Sequence, residues 1–160
     1  MNKCNFLLHS MGLISTVPSA RASSATAKWG IIEVVRNPGC GCCENWAEGL
    51  KAAGFDVSMS DNSDLEGYRA WMDVPADLAG CHTGKIEGYI IEGHVPAADI
   101  VKLLIEHPVA LGLAVPGMPI GSPGMDTPAY GGRRDAYSVL LLGKDGQTSV
   151  YASYSARAPG

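Results

Sequence analysis

Three of the five cysteines stand within four residues, in the segment CGCC at positions 40–43. Cys40 and Cys43 have the C-x-x-C spacing of thiol–disulfide redox motifs. Before them, the apolar and β-branched residues 31–35 predict a buried strand, and after them residues 43–53 predict a helix. Thiols at a helix N-terminus lie beside unpaired backbone N–H groups, which lower thiol pKa values and favour thiolates. The motif is therefore predicted to carry chemistry.

The third thiol of the motif, Cys42, favours metal binding over disulfide exchange. A thiol inside the C-x-x-C pair can resolve a mixed disulfide within the motif and so weakens exchange with other proteins. Soft thiolates select Cu(I), with Zn(II) and iron–sulfur clusters as alternatives. Structural zinc sites usually consist of paired C-x₂-C units, rather than three cysteines in one turn and a fourth elsewhere. If Cys81 joined the three, the crowded sulfurs could bridge several Cu(I) ions.

Four other side chains could belong to such a site. His82 adjoins Cys81 and could bind or tune the metal, or merely cap a turn. His94 precedes a predicted helix, where we favour a structural role. Met118 and Met125 lie in a Gly- and Pro-rich stretch, residues 109–130, and could form a soft thioether lid or fill a gap in the core. The histidine at position 82 and the two methionines are thus additional candidate ligands.

The remaining pattern predicts an α/β fold with a mixed sheet flanked by helices. Strands are expected at about residues 29–36, 55–59 and 89–92. Helices are expected at about residues 43–53, 65–72 and 97–106. Residues 77–83, which include the fourth cysteine, are predicted as a turn, and the density of Gly and Pro predicts no regular structure in residues 109–130. A turn at residues 144–146 between two apolar runs, 136–142 and 148–154, predicts a C-terminal β-hairpin.

The N-terminal residues predict a secretory signal. Lys3 precedes a mostly apolar run at residues 6–17, and the A-x-A pattern at residues 20–22 fits a cleavage site. A flexible lead-in (residues 23–28), one domain (residues 29–154) and a short tail (residues 155–160) would follow. A disordered or interfacial N-terminal tail is the alternative.

The charge balance argues against nucleic acid as a partner. The chain has 12 basic and 16 acidic residues, a formal charge of −4. Cleavage after residue 22 would remove Lys3 and Arg21 but no acid, which leaves ten basic residues and a charge of −6. The sequence has no basic stripe to displace counterions from phosphates. No later apolar run is long enough to cross a bilayer, so we expect a soluble periplasmic protein without membrane insertion.

The longer motifs resemble those of one protein family. They are NPGCGCC (37–43), CHT (81–83), GY (88–89) with EGHVP (92–96), and GLAVPGMP (112–119) with GSPGM (121–125). Over about residues 30–154 the chain is similar to the CopG-type periplasmic copper-resistance proteins, long described as a domain of unknown function. The resemblance implies a thioredoxin-like fold, export, and a role in copper efflux or resistance. It also implies that Cu(I) is held by the cysteines of the C-x-C-C motif and of the Cys-His pair, here Cys40, Cys42, Cys43 and Cys81.

Three functions remain open at this point. The first is a periplasmic copper-binding protein that holds Cu(I), as a thiolate-bridged cluster, and passes it to an efflux or chaperone protein. The second is a thiol–disulfide oxidoreductase that uses Cys40 and Cys43 as its redox pair. The third is a domain held together by disulfides without chemistry of its own.

Overall fold

The computed structural model describes residues 28–159, so the predicted signal sequence and nearly all of the lead-in lie outside the described residues. Within them the strands are β1 (Ile31–Arg36), β2 (Asp56–Asp61), β3 (His82–Ile86), β4 (Tyr89–Glu92), β5 (Gly112–Ala114), β6 (Tyr137–Leu142) and β7 (Thr148–Tyr154). The helices are α1 (Gly41–Ala52), α2 (Leu65–Trp71) and α3 (Ala97–Glu106). In this part of the chain, none of the helices combines the length and apolarity that crossing a bilayer requires.

The strands form one mixed sheet in the order β2-β1-β3-β4-β5-β6-β7. β1 is parallel to β2 and β4 is parallel to β5, whereas the other neighbours are antiparallel. Parallel neighbours need a crossover connection, which α1 supplies between β1 and β2, and α3 supplies between β4 and β5. The predicted α/β class, with a mixed sheet, flanking helices and a C-terminal hairpin of β6 and β7, is confirmed.

The main core lies between the sheet and the helices α1 and α3. Trp46 and Leu50 share one face of α1, and Ile100 and Leu103 share one face of α3; each is at most 1% exposed. The Trp46 indole also donates a hydrogen bond to the carbonyl of Val95, at 2.8 Å. Burying a large apolar side chain contributes about 1.5–3 kcal/mol. This packing determines where α1 lies, and hence where its cysteine-bearing first turn lies.

The prediction of a turn through residue 83 is wrong, because β3 begins at His82. This strand lies between β1 and β4, in the interior of the sheet. Its sequence, HTGKI, has neither a β-branched run nor clear alternation, and glycine is unfavourable inside strands. A Cβ at Gly84 would nevertheless lie only 3.2 Å from the Ile32 side chain, so the close approach of the neighbouring strand favours glycine there.

The Gly- and Pro-rich stretch also contains regular structure, so the prediction that residues 109–130 lack it entirely is wrong. Gly112–Ala114 form β5, which is buried and pairs with both β4 and β6. Pro128–Tyr130 form a 3₁₀ turn. The three-residue strand is stabilised by ladders on both sides rather than by its own propensity. Between these two elements the chain is irregular. It runs past residues 40–43, which we call the cysteine turn.

Candidate metal centre

The cysteine motif forms the start of α1. Cys40 is the N-cap residue, with an extended backbone and no capping hydrogen bond from its side chain. The helix begins at Gly41, two residues earlier than predicted, so Cys42 and Cys43 both lie in its first turn. Before them, Gly39 has φ +75°, a left-handed conformation that glycine adopts without strain. The thiols thus lie at the helix end where backbone N–H groups have no helical partner.

A partly buried arginine holds this turn to the sheet. Arg36, the last residue of β1, donates hydrogen bonds to the carbonyl of Cys40 at 3.0 Å and to the carboxylate of Glu44 at 2.9 Å. Its Nε also donates to Asp61 at the end of β2, at 2.9 Å. These carboxylates raise the pKa of the Arg36 guanidinium, which therefore stays charged. The start of α1 is in this way fixed relative to two strand ends.

The four cysteine sulfurs converge. All four Sγ atoms lie within 4.8 Å of one another. The Cys81 Sγ is 3.5 Å from that of Cys43 and 3.7 Å from that of Cys42. Cys40 and Cys43 form a disulfide with a Cα separation of 5.4 Å, whereas Cys42 and Cys81 are free thiols. The structure therefore brings the fourth cysteine to the motif across 38 positions of sequence.

Strand pairing accounts for the position of Cys81. β1 and β3 are antiparallel, and their register places Arg36, at the end of β1, opposite His82, at the start of β3. The residue before β3 is therefore beside the segment that follows β1, which is the cysteine turn. Without β3 in the prediction, this proximity could not be derived from the sequence pattern.

Two buried histidines face the fourth cysteine. His94 Nε2 is 2.9 Å from the Cys81 Sγ, and His82 Nδ1 is 3.4 Å from it. The His82 ring packs on Trp46, with centroids 4.1 Å apart, and its Nε2 has no hydrogen-bond partner among residues 28–159. Sequence reasoning favoured a structural role for His94; the structure places its Nε2 beside the sulfur of Cys81, one of the four cysteines.

Burial determines the protonation of these groups. Burial, assisted by the nearby His94 and Arg69, lowers the pKa of His82 to about 3. Burial also lowers the pKa of His94 to about 4, so both imidazoles are neutral at neutral pH and can bind a metal. Burial and the adjacent Cys42 raise the pKa of the Cys81 thiol to about 12. A bound metal ion would oppose this effect, because coordination deprotonates a thiol.

The Gly- and Pro-rich segment closes one side of the cluster. The Ser122 hydroxyl donates to the carbonyl of Pro119 at 2.7 Å and lies 3.3 Å from His94 Nδ1. Since the hydroxyl proton is used by that carbonyl, the serine oxygen accepts from Nδ1–H, which leaves the lone pair of His94 Nε2 directed at the thiol. At Gly124, a Cβ would lie 2.5 Å from the carbonyl oxygen of Cys42, so the segment touches the cysteine turn directly.

The two candidate methionines differ in exposure. Met118 is 52% exposed, whereas Met125 is partly buried and follows Gly124, the residue that touches the cysteine turn. The backbone of Met125 is held by hydrogen bonds with Ser122 and Gly121, each 2.8 Å long. The segment that carries both residues thus reaches the site, and their role as a soft lid stays a prediction.

Comparison with known proteins adds independent findings. Residues 78–125 match a family model described as "Protein of unknown function, DUF411". Two solved structures, titled "Copper resistance protein copG", Form 1 and Form 2, are 47% and 48% identical in sequence. Each superposes with a TM-score of 0.73 and covers 78% of this chain and 97% of the solved chain. No curated protein sequence matches the chain.

Proposed function

The chain belongs to the family of the copper resistance protein CopG, and from that premise we propose that it holds Cu(I) on its four converging cysteines. The observation that carries the proposal is the approach of all four sulfurs to within 4.8 Å of one another. Thiolates are soft ligands that favour Cu(I), with Zn(II) as the main competing ion. The proposed ligands are the side chains of Cys40, Cys42, Cys43 and Cys81.

We extend this ligand set to the two neutral histidines. His94 offers the lone pair of Nε2 beside the fourth cysteine, and His82 has a buried ring nitrogen that is not hydrogen-bonded within the described residues. Four thiolates with two imidazoles are more ligands than one two- or three-coordinate Cu(I) ion can use. The surplus favours sulfurs that bridge several copper ions in a cluster.

The number of copper ions tests this proposal. The protein is tested with Cys4 replaced by serine, so that four cysteines remain. When it is reduced without oxygen and titrated with Cu(I), it is expected to bind more than one copper ion per chain and to lose all four reactive thiols. The measurement is copper and thiol content after gel filtration against a Cu(I) chelator. Protein with the Cys40–Cys43 disulfide intact is the matched control, and it should bind less copper because two sulfurs are unavailable.

Zinc provides the contrary outcome. Four sulfurs at this spacing could also surround one tetrahedral Zn(II) ion. If the reduced protein binds a single metal ion per chain, and retains Zn(II) when Cu(I) is offered, the copper cluster is wrong.

A second function, thiol–disulfide exchange, is favoured by one observation. Cys40 and Cys43 form a disulfide at the N-terminus of α1, where a released thiolate would be stabilised. The free thiol of Cys42, whose sulfur lies 3.5 Å from that of Cys40, would compete with an external substrate. We therefore rank exchange below copper binding.

We also propose that the protein acts in the periplasm and passes copper to an efflux or chaperone protein. The signal-like residues 1–22 support the location, and the titles of the similar structures, which name copper resistance, support a role in copper handling. N-terminal sequencing of protein recovered from the periplasm checks the location, with Ser23 as the expected first residue.

The methionine lid gives a further prediction. Replacing Met118 and Met125 together by leucine, which has a similar volume, should leave the melting temperature of the copper-free protein nearly unchanged. Cu(I) should nevertheless leave the variant faster when a chelator is added in air, because a thioether ligand or shield has been removed. Replacing only the more distant Met59, a partly buried core residue, by leucine is the control. Equal copper retention in the double variant and the parent would show that the segment is only scaffold.

A further inference from the structure

A buried ion pair contacts the residue that precedes Cys81. Arg69 on α2 and Glu92 at the end of β4 are 9% and 0% exposed, and Arg69 Nε donates to the Glu92 carboxylate at 2.8 Å. Taking two charges out of water is costly, and well-packed apolar side chains of similar volume are often as stabilising. A gain in folding stability is therefore a poor explanation for this pair. The groups to which it is hydrogen-bonded indicate its role better.

The pair holds both polar groups of Gly80, the residue before Cys81. Glu92 accepts a hydrogen bond from the Gly80 N–H at 2.7 Å, and Arg69 Nη2 donates to the Gly80 carbonyl at 2.6 Å. The hydroxyl of Thr83 donates to the other carboxylate oxygen at 2.6 Å. The Gly80 carbonyl is part of the peptide bond to Cys81. Arg69 thus orients the peptide plane from which the Cys81 side chain projects.

Close backbone packing at the same place links the two sides of the site. A Cβ at Gly80 would lie 2.5 Å from the Cα of Gly93, so the backbone segments that carry these two glycines are in contact. The N–H of Gly93 donates to the carbonyl of His82 at 3.0 Å. Because these glycines precede Cys81 and His94, holding the Gly80 peptide in place also sets the separation between that sulfur and the His94 ring.

We propose that Arg69 and Glu92 are positioning residues of the metal centre. Neither is a proposed ligand; together they hold the Gly80–Cys81 peptide so that the fourth sulfur faces the cysteine turn. The alternative is that the pair only stabilises the fold, in which case the sulfur would keep its position without it. The inference rests on the proposed function as far as copper is concerned, but the position of the sulfur can be measured without copper.

A disulfide equilibrium measures that position. In protein that also carries Cys4→Ser, the substitutions Cys40→Ser and Cys42→Ser leave only Cys43 and Cys81. The sulfurs of these two cysteines are 3.5 Å apart. The equilibrium of their disulfide with glutathione gives the effective molarity of one thiol at the other. Adding Arg69→Met and Glu92→Gln removes both charges, so that no unpaired charge is buried, and deprives the Gly80 carbonyl of its donor. We expect the effective molarity to fall by about tenfold or more, as small misplacements of reacting groups do.

The control separates positioning from stability. Val139→Ala, in the same two-cysteine background, creates a core defect on β6, two strands away from β4. It should lower the melting temperature and leave the effective molarity unchanged. If the variant without the ion pair does not fold, Arg69→Lys replaces it, since lysine keeps the charge but lacks the fork of donors that holds both partners.

The outcomes distinguish the inference from the proposed function. An unchanged effective molarity in a folded variant overturns the positioning role. A lower effective molarity supports it, and the same ion-pair substitutions in the four-cysteine protein should then reduce the copper bound per chain. If copper binding there is unchanged although the effective molarity has fallen, the positioning role stands and Cys81 is not a copper ligand.

Discussion

Replacement of Cys42 by proline is expected to remove about half or more of the Cu(I) capacity, because a bridging thiolate serves more than one metal ion. The Cys42 sulfur lies between those of Cys40 and Cys81, 3.5 Å from the first and 3.7 Å from the second. Position 42 is in the first turn of α1, where the backbone N–H needs no helical partner and proline is tolerated. The measurement is copper per chain in the anaerobic Cu(I) titration.

The same variant should gain disulfide reductase activity. Proline restores a C-x-P-C sequence and removes the thiol that competes with a substrate for the mixed disulfide. Reduction of insulin in the presence of dithiothreitol is the assay. Cys42→Ser is the control: it should lose copper to the same extent but lacks the proline. Copper binding that survives both substitutions would show that Cys42 is not a ligand, and the cluster proposal would then be wrong.

Replacement of His94 by glutamine is expected to weaken Cu(I) binding by about 10–100-fold, at least the loss typical for groups that support a metal ligand. Glutamine is of comparable size and can keep a hydrogen bond to Ser122, but its amide is a harder ligand than imidazole. His94 Nε2 lies 2.9 Å from the Cys81 sulfur, so the substitution removes the proposed imidazole ligand beside that cysteine. Competition with a Cu(I) chelator measures the affinity.

A second histidine supplies the matched control. His107 is exposed at the C-terminal end of α3, outside the cluster, and His107→Gln should leave the affinity unchanged. If His94→Gln binds Cu(I) as tightly as this control, His94 is not a ligand, and the structural role favoured from the sequence is correct.

Local sequence patterns were sufficient for the parts of the fold that stabilise themselves over short range. The helix at Ala97–Glu106 was predicted to the residue, because Pro96 begins it and Ile100, Leu103 and Leu104 share one face. The hairpin of β6 and β7 was also recognised, because a turn separates two strand-like runs. At the cysteine motif the start of α1 was predicted two residues too late, at residue 43 instead of Gly41.

The strand β3 could not be predicted in this way, and its omission concealed a site residue. β3 and β4 are antiparallel, with Thr83 opposite Glu92. Extending that register by two residues in each direction places Cys81 opposite His94. A prediction that had recognised the hairpin of β3 and β4 would therefore have put the histidine beside the thiol. The obstacle was Gly84, whose unfavourable strand propensity is overridden by its neighbours.

The sequence by itself determined which soft ligands are available and that Cys40, Cys42 and Cys43 share a helix start, since residues so close in the chain stay together in any fold. The resemblance of the longer motifs added Cys81 to them. Only the tertiary structure decided that Cys81 meets that turn, that His94 lies beside Cys81, and that a buried ion pair holds the peptide before Cys81. Those contacts join residues far apart in the chain, and strand register and side-chain packing bring them together only when the whole sheet has formed.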